Sequence, residues 1–76
     1  MPKIVPVHWT VLEKIFVLDG WRFDRHEGSH RPYVKAGTTR PLVIPTYLAV
    51  PVSIIRNNTR ASQMDRERYF ALLADI

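Results

Sequence analysis

The first regular apolar stripe along the chain predicts a helix over residues 9–19. Three apolar residues recur at the i, i+4 and i+7 positions of that segment, which places them on one helix face. They are Val11, Ile15 and Leu18. Thr10 and Glu13 have the spacing of a capping box at the helix N-terminus. Gly20 ends the helix, because glycine accepts the left-handed conformation that follows a last turn.

Alternating residues then predict a β-hairpin, with strands over residues 21–27 and 30–36 and a two-residue turn at Gly28-Ser29. This register fixes which side chains share a face of the sheet. The core-facing side carries the pairs Glu27–His30, Arg25–Pro32, Phe23–Val34 and Trp21–Ala36. The opposite, polar side carries His26–Arg31, Asp24–Tyr33 and Arg22–Lys35.

The second half of the chain completes the predicted fold. A third strand is expected over residues 40–44, a loop over 45–51, a short helix over 52–58 and a final helix from residue 62 or 63. Four apolar side chains of the final segment are expected to face inward: Met64, Tyr69, Leu72 and Leu73. The sequence therefore predicts an α+β fold, with a three-stranded antiparallel sheet covered by helices on one face. Its 76 residues form one domain, 1–76.

Composition narrows the function classes. Eleven Lys and Arg against seven Asp and Glu give a net charge of +4, which favours a polyanionic or acidic partner. The absence of cysteine excludes a disulfide, a thiolate metal site and a cysteine nucleophile. The longest apolar stretch, 42–55, is broken by prolines and is shorter than the roughly 20 residues of a membrane span. With no leader-like segment, we expect a cytoplasmic protein that does not associate with membranes.

The candidate chemistry lies at the hairpin. An imidazole at His30 can take a proton from a ribose hydroxyl, and Arg25 and Arg31 beside it can hold the scissile phosphate. This combination suffices to cut RNA through its own 2′-hydroxyl. We expect no metal and no cofactor, because the register separates His26 from His30 and no third ligand clusters with them. The alternative is a surface histidine among solubilising arginines.

A basic sheet edge is the second indication of RNA binding. Five cations fall between residues 21 and 40, namely Arg22, Arg25, Arg31, Lys35 and Arg40, against two acids. Such an edge suits a phosphate backbone. We place Lys35 among the candidate RNA-binding residues for this reason. A solvated sheet face is the alternative interpretation of the same residues.

Three motifs resemble the HicA toxin family, also known as YcfA-like mRNA interferases. They are Leu18-Asp19-Gly20-Trp21, then Arg25-His26-Glu27-Gly28-Ser29-His30, then Val43-Ile44-Pro45. The resemblance extends over roughly residues 7–73. It implies a double-stranded-RNA-binding-domain-like α-β-β-β-α fold and a metal-independent ribonuclease that acts on messenger RNA. It also implies a HicB-like antitoxin that binds and blocks the toxin.

The resemblance assigns roles to individual residues. The family's Gly-Ser-His histidine corresponds to His30, the expected catalytic general base, and Ser29 joins Arg25, Arg31 and Lys35 as expected RNA-binding residues. Tyr47 stands where the family often has a second histidine. The apolar segment 48–52 replaces a lysine-rich stretch of the family. A catalytically silent RNA- or protein-binding module of the same fold is therefore the alternative function.

The same apolar segment suggests a protein interface. A domain of this size cannot bury every apolar residue between Leu42 and Ile55 together with the core of its helices. We expect part of the segment to remain exposed, with Leu48 and Val50 in the patch and Trp9 and Phe16 extending it. Exposed apolar patches of this kind mark interaction sites.

Overall fold

Three helices and three strands make up the fold in the computed structural model, which describes residues 2–25 and 28–76. The elements are α1 (Trp9–Leu18), β1 (Arg22–Phe23), β2 (His30–Val34), β3 (Leu42–Pro45), α2 (Val52–Ala61) and α3 (Arg66–Ala74). The strands form one antiparallel sheet in the order β1-β2-β3. The predicted α+β fold with α-β-β-β-α order is confirmed, with two helices after the sheet.

The hairpin register differs from the predicted one by one residue. Phe23 pairs with Tyr33, and Arg22 pairs with Val34, so the predicted Phe23–Val34 pairing is wrong. A one-residue shift moves every side chain of a strand to the other face. β1 ends at Phe23 and β2 begins at His30, so the paired strands are shorter than predicted. Gly28 between them has a left-handed φ of +61°, which glycine accepts. The pairs predicted for His26 and Glu27 lie outside the described residues.

Tyr33 is the physical reason for the shift. Its ring is fully buried and meets Phe23 edge to face, with 5.7 Å between ring centres. Its hydroxyl donates to the carboxylate of Glu13 on α1. The predicted register would have left this large side chain on the exposed face, where its apolar surface would stay in water.

Helix α1 begins with a different cap from the predicted one. His8 is the N-cap residue, and its Nδ1 accepts from the backbone N–H of Thr10 at 3.2 Å. The predicted capping box is wrong, because Glu13 turns toward the sheet. The predicted end is confirmed: the helix stops before Asp19, and Gly20 has a φ of +100°.

One apolar core lies between the helices and the inner face of the sheet. It contains Leu12, Ile15, Phe16, Trp21, Tyr33, Leu42, Ile44, Val50, Ile55, Met64, Tyr69 and Leu72. The prediction that Phe16 and Val50 extend an exposed patch is therefore wrong, since both are fully buried. Met64, Tyr69 and Leu72 are buried as predicted. Leu48 remains 83% exposed.

The C-terminal helices differ from the prediction at their ends. Helix α2 continues to Ala61 instead of residue 58, and α3 begins at Arg66. Between them Gln63 has a φ of +58°, which breaks the helical path, and Asp65 caps α3 by accepting from the backbone N–H of Arg68 at 2.7 Å. Among the described residues, no helix has the length and apolar character needed to cross a membrane.

Candidate active site

His30 is the first residue of β2 and lies at the open tip of the hairpin, exposed to solvent. Its partner across the sheet is Pro45, the last residue of β3. Side chains alternate along a strand, and the neighbouring Arg31 points to α1. The imidazole therefore lies on the opposite face of the sheet, away from the core-facing side on which it was predicted. We call residues 24–25 and 28–30 the hairpin end.

Ser29 both holds and orients the hairpin end. Its carbonyl oxygen accepts from the backbone N–H of Thr46 at 2.8 Å and from the Thr46 hydroxyl at 3.0 Å. Its own hydroxyl oxygen lies 3.3 Å from Nδ1 of His30. In the tautomer with the proton on Nδ1, that proton is donated to Ser29, and Nε2 keeps its lone pair for an incoming ligand.

Arg25 shares this end of the hairpin. The backbone N–H of Asp24 donates to the carbonyl of Pro32 at 2.9 Å, so Arg25 follows the last paired residue of β1 on the way to the tip. Its guanidinium lies 2.5 Å from the carboxylate of Asp24, and its side chain is well exposed. The adjacent carboxylate offsets part of its charge. Ser29 and His30 are adjacent at the start of β2, and Arg25 lies on the β1 side of the same connection.

Arg31 is held away from His30, on the helix-facing side of β2. Its guanidinium donates to the carboxylate of Glu13 at 3.0 Å and to the hydroxyl of Tyr33 at 3.1 Å. It also lies over the rings of Trp9 and Phe23. Only 15% of its side chain is exposed. These contacts make Arg31 a link between the sheet and α1.

The same contacts perturb two protonation equilibria. Burial raises the pKa of Tyr33 to about 12, and the hydrogen bond to Glu13 adds to the shift. The hydrogen bond from Arg31 to Tyr33 raises the pKa of Arg31, against an opposing effect of desolvation. The cation and the neutral phenol therefore persist throughout the physiological range.

Lys35 lies at the other end of β2. It is the fifth residue after His30, which places it about 16 Å away along an extended chain. Its ammonium group lies 3.5 Å from Asp19 and 5.9 Å from the centre of the Trp21 ring. Lys35 therefore helps to join the end of α1 to the sheet, and the fold does not bring it to the hairpin end.

Two features of the site escaped sequence reasoning. One is the contact of Glu13 with Arg31 and Tyr33, whose only sequence signal is an acidic residue on a largely apolar helix. The other is the pair of hydrogen bonds from Thr46 to the Ser29 carbonyl, which join the hairpin end to the chain that follows β3. The sequence predicts a loop over residues 45–51, and we call its residues 46–50 the Tyr47 loop. Tyr47 and Leu48 expose their side chains on it.

The described residues also show the role of His8 and whether a metal-binding group is present. His8 is engaged as the cap of α1, with its Nδ1 also 2.8 Å from the Thr10 hydroxyl. Residues 2–25 and 28–76 contain no group of three His, Asp or Glu side chains arranged to hold a metal ion.

Comparison with known proteins adds no relative: no family model matches the chain, and no curated protein or solved structure matches it.

Proposed function

We propose that the protein is a ribonuclease of the HicA toxin type, which cuts messenger RNA in the cytoplasm with His30 as the general base. The observation that carries the proposal is the exposed imidazole at the hairpin end, with Nδ1 beside Ser29 and Nε2 open to a ligand. The motifs that resemble the HicA family place a histidine at this same position. The net positive charge suits a polyanionic substrate.

The proposed chemistry needs one proton acceptor and one cation. Nε2 of His30 takes the proton from a ribose 2′-hydroxyl, and the 2′-oxygen attacks the adjacent phosphorus. The bond from phosphorus to the 5′-oxygen breaks, and that oxygen takes a proton from solvent at this open site. The products are a 2′,3′-cyclic phosphate and a free 5′-hydroxyl. Arg25 contacts the phosphate and offsets its developing charge.

The remaining predicted RNA-binding residues take different parts. The Ser29 hydroxyl accepts from Nδ1 in the tautomer that leaves Nε2 unprotonated. Arg31 acts on the fold of the hairpin rather than on the phosphate, because its guanidinium is engaged by Glu13 and Tyr33. Lys35, paired with Asp19, contributes to the long-range attraction of RNA.

A HicB-like antitoxin is the proposed protein partner. It would block the enzyme by covering His30 together with Leu48 of the Tyr47 loop, the most exposed of the large apolar side chains in the described chain. The proposed interface is smaller than the whole segment 42–55, because Val50 and Ile55 are buried.

The decisive experiment is RNA cleavage by the purified protein in the presence of a chelator, with His30→Ala and His30→Gln. We expect the rate to fall by about 10²–10⁴-fold, the usual loss for a general base, while the circular dichroism spectrum and melting temperature stay unchanged. Lys14→Ala, an exposed helix position, is the matched control and should cut as the wild type does. Cleavage by His30→Ala at the wild-type rate would refute the proposal.

The salt dependence of RNA affinity shows which arginine contacts phosphate. Arg25→Ala should weaken RNA binding for every sequence and reduce the slope of log affinity against log salt by about one. Arg31→Ala should leave that slope unchanged. RNA binding without cleavage in the wild type would favour the alternative, a silent RNA-binding module. Affinity for a partner protein without affinity for RNA would favour a protein-binding module.

A further inference from the structure

The Tyr47 loop presents an aromatic and an aliphatic side chain in a part of the chain that has no charge. Residues 41–55 contain no Lys, Arg, Asp or Glu. Within this stretch Tyr47 is 45% exposed and Leu48 is 83% exposed. The exposed side chains of this loop therefore offer a ring and apolar surface to a ligand and no positive charge to a phosphate.

Backbone hydrogen bonds fix the loop at three points. Thr46 donates to the carbonyl of Ser29, and the carbonyl of Tyr47 accepts from the backbone N–H of Trp9 at 3.2 Å. Val50 donates to the carbonyl of Val7 at 2.7 Å. The backbone at Tyr47 is thus ordered before any ligand arrives, and binding there does not carry the entropic cost of ordering a loop.

The loop lies beside the proposed catalytic group. Pro45 is directly opposite His30 in the sheet, and Tyr47 follows two residues later. Paired Cα atoms are about 5 Å apart, and two extended residues add about 7 Å. The Cα atoms of Tyr47 and His30 are therefore within about 12 Å, a separation that adjacent nucleotides can bridge.

We propose that Tyr47 is a stacking platform for a base of the RNA substrate, next to the nucleotide whose 2′-hydroxyl faces His30. This inference rests on the proposed function and names the substrate more closely: single-stranded RNA with a splayed base. Bases within a duplex already stack on their neighbours, whereas unpaired bases stack on exposed aromatic side chains. Tyr47 is then a binding residue that aligns the substrate and takes no part in proton transfer.

The test measures binding to a fluorescein-labelled single-stranded oligoribonucleotide, by anisotropy, with all variants made in a His30→Ala background that does not cut it. At about 0.5 M salt the ionic contacts are largely screened. Under these conditions Tyr47→Ala should weaken binding by about 5- to 150-fold, the range expected for one stacked base. Tyr47→Phe, which keeps the ring, and Val17→Ala, which removes an exposed apolar side chain of α1, should stay within about twofold.

Steady-state kinetics, measured in proteins that retain His30, give a second readout. Because stacking is present in both ground and transition states, Tyr47→Ala should raise KM and leave kcat unchanged. An oligoribonucleotide with an abasic position at the stacking site should bind wild type and Tyr47→Ala equally. A perfectly paired RNA hairpin should not distinguish the two proteins.

The outcomes distinguish this inference from the function on which it rests. If the wild type cuts RNA through His30 and Tyr47→Ala binds it as tightly as the wild type, the stacking platform is overturned and the ribonuclease stands. If His30→Ala cuts RNA normally, the ribonuclease proposal fails whatever Tyr47 does. Loss of affinity for a partner protein in Tyr47→Ala, with RNA affinity unchanged, would assign the side chain to a protein interface and overturn the inference.

Discussion

Arg31 lies across the ring of Phe23, with 3.9 Å between its guanidinium carbon and the ring centre. The indole of Trp9 lies on α1 at 4.9 Å from the same carbon. A planar guanidinium is suited to this position, because it stacks on rings and donates in its own plane to a carboxylate at the same time. The cation therefore joins β1, β2 and the first turns of α1.

Replacing Arg31 should cost more than a surface ion pair does. We expect Arg31→Ala to lower the free energy of unfolding by about 2–3 kcal/mol, between the values typical of exposed and of buried pairs. Arg31→Lys should recover less than half of this, because an ammonium lacks the planar donor array. Urea denaturation measures the loss. Stability equal to that of the wild type in Arg31→Ala would contradict the structural role.

High pH should release the contact between Tyr33 and Glu13. Burial raises the pKa of Tyr33 from 10.0 to about 12, so the folded state holds the phenolic proton more tightly than the unfolded state. The corresponding stability is complete below pH 10.0 and is lost as the pH rises to about 12. The loss attributable to Tyr33 is roughly 3 kcal/mol, at 1.36 kcal/mol per pKa unit.

The control for this prediction is Tyr33→Phe. It should be less stable than the wild type at pH 8, because Glu13 loses a donor, and its stability should fall less steeply above pH 10.0. Tyr69, whose pKa is also raised by burial, remains in both proteins and cancels in the comparison. Parallel stability curves for the two proteins above pH 10.0 would refute the assignment.

The N-cap of α1 offers a third prediction. His8→Ala should lower the free energy of unfolding by about 0.5–2 kcal/mol, because the N–H of Thr10 loses its acceptor. His8→Asn provides a side-chain oxygen at the cap and should recover most of the loss. Thermal denaturation at neutral pH checks both variants. An unchanged melting temperature in His8→Ala would show that the cap contributes nothing.

The helices were predictable because their signals are local. The apolar stripe of α1 and the glycine that follows it define that helix to within one residue at its end. The strands of the sheet were also recognised, since turn residues separate them. The sequence did not reveal where α3 begins, because the positive φ of Gln63 is unusual for a glutamine and the actual cap, Asp65, lies two residues later.

The hairpin register was not predictable from the hairpin alone. Phe23 and Val34 form a plausible apolar pair, and Tyr33 and Arg31 are amphipathic side chains that fit either face. What decides between the registers is Glu13, which lies on a different element and supplies a partly buried carboxylate partner for both. The apolar–polar alternation of a strand does not reveal a contact that its side chains make with a helix elsewhere in the sequence.

The location of His30 at the hairpin tip followed from its position next to Gly28-Ser29, but the face of the sheet did not. The shift in register carried His30 to the outer side and Arg31 to the inner side. As a result the two predicted phosphate-binding residues lie in different surroundings: Arg25 is well exposed, whereas Arg31 is largely buried against α1. The turn residues are therefore enough to place His30 at the tip. Which side chains lie next to it depends on the register of the whole sheet.

We expect the bridge between Val7 and Val50 to form late when the molecule folds and to open early when it is heated. It joins chain segments that lie on either side of α1 and the entire sheet, and contacts over such sequence separations form late in folding. We therefore expect the Tyr47 loop to reach its final position after the sheet is built and to open locally before the sheet melts. Amide hydrogens at Thr46 and Val50 should accordingly exchange faster than those of β2. Mild heating should then loosen the Tyr47 loop at the hairpin end in molecules whose sheet is still paired.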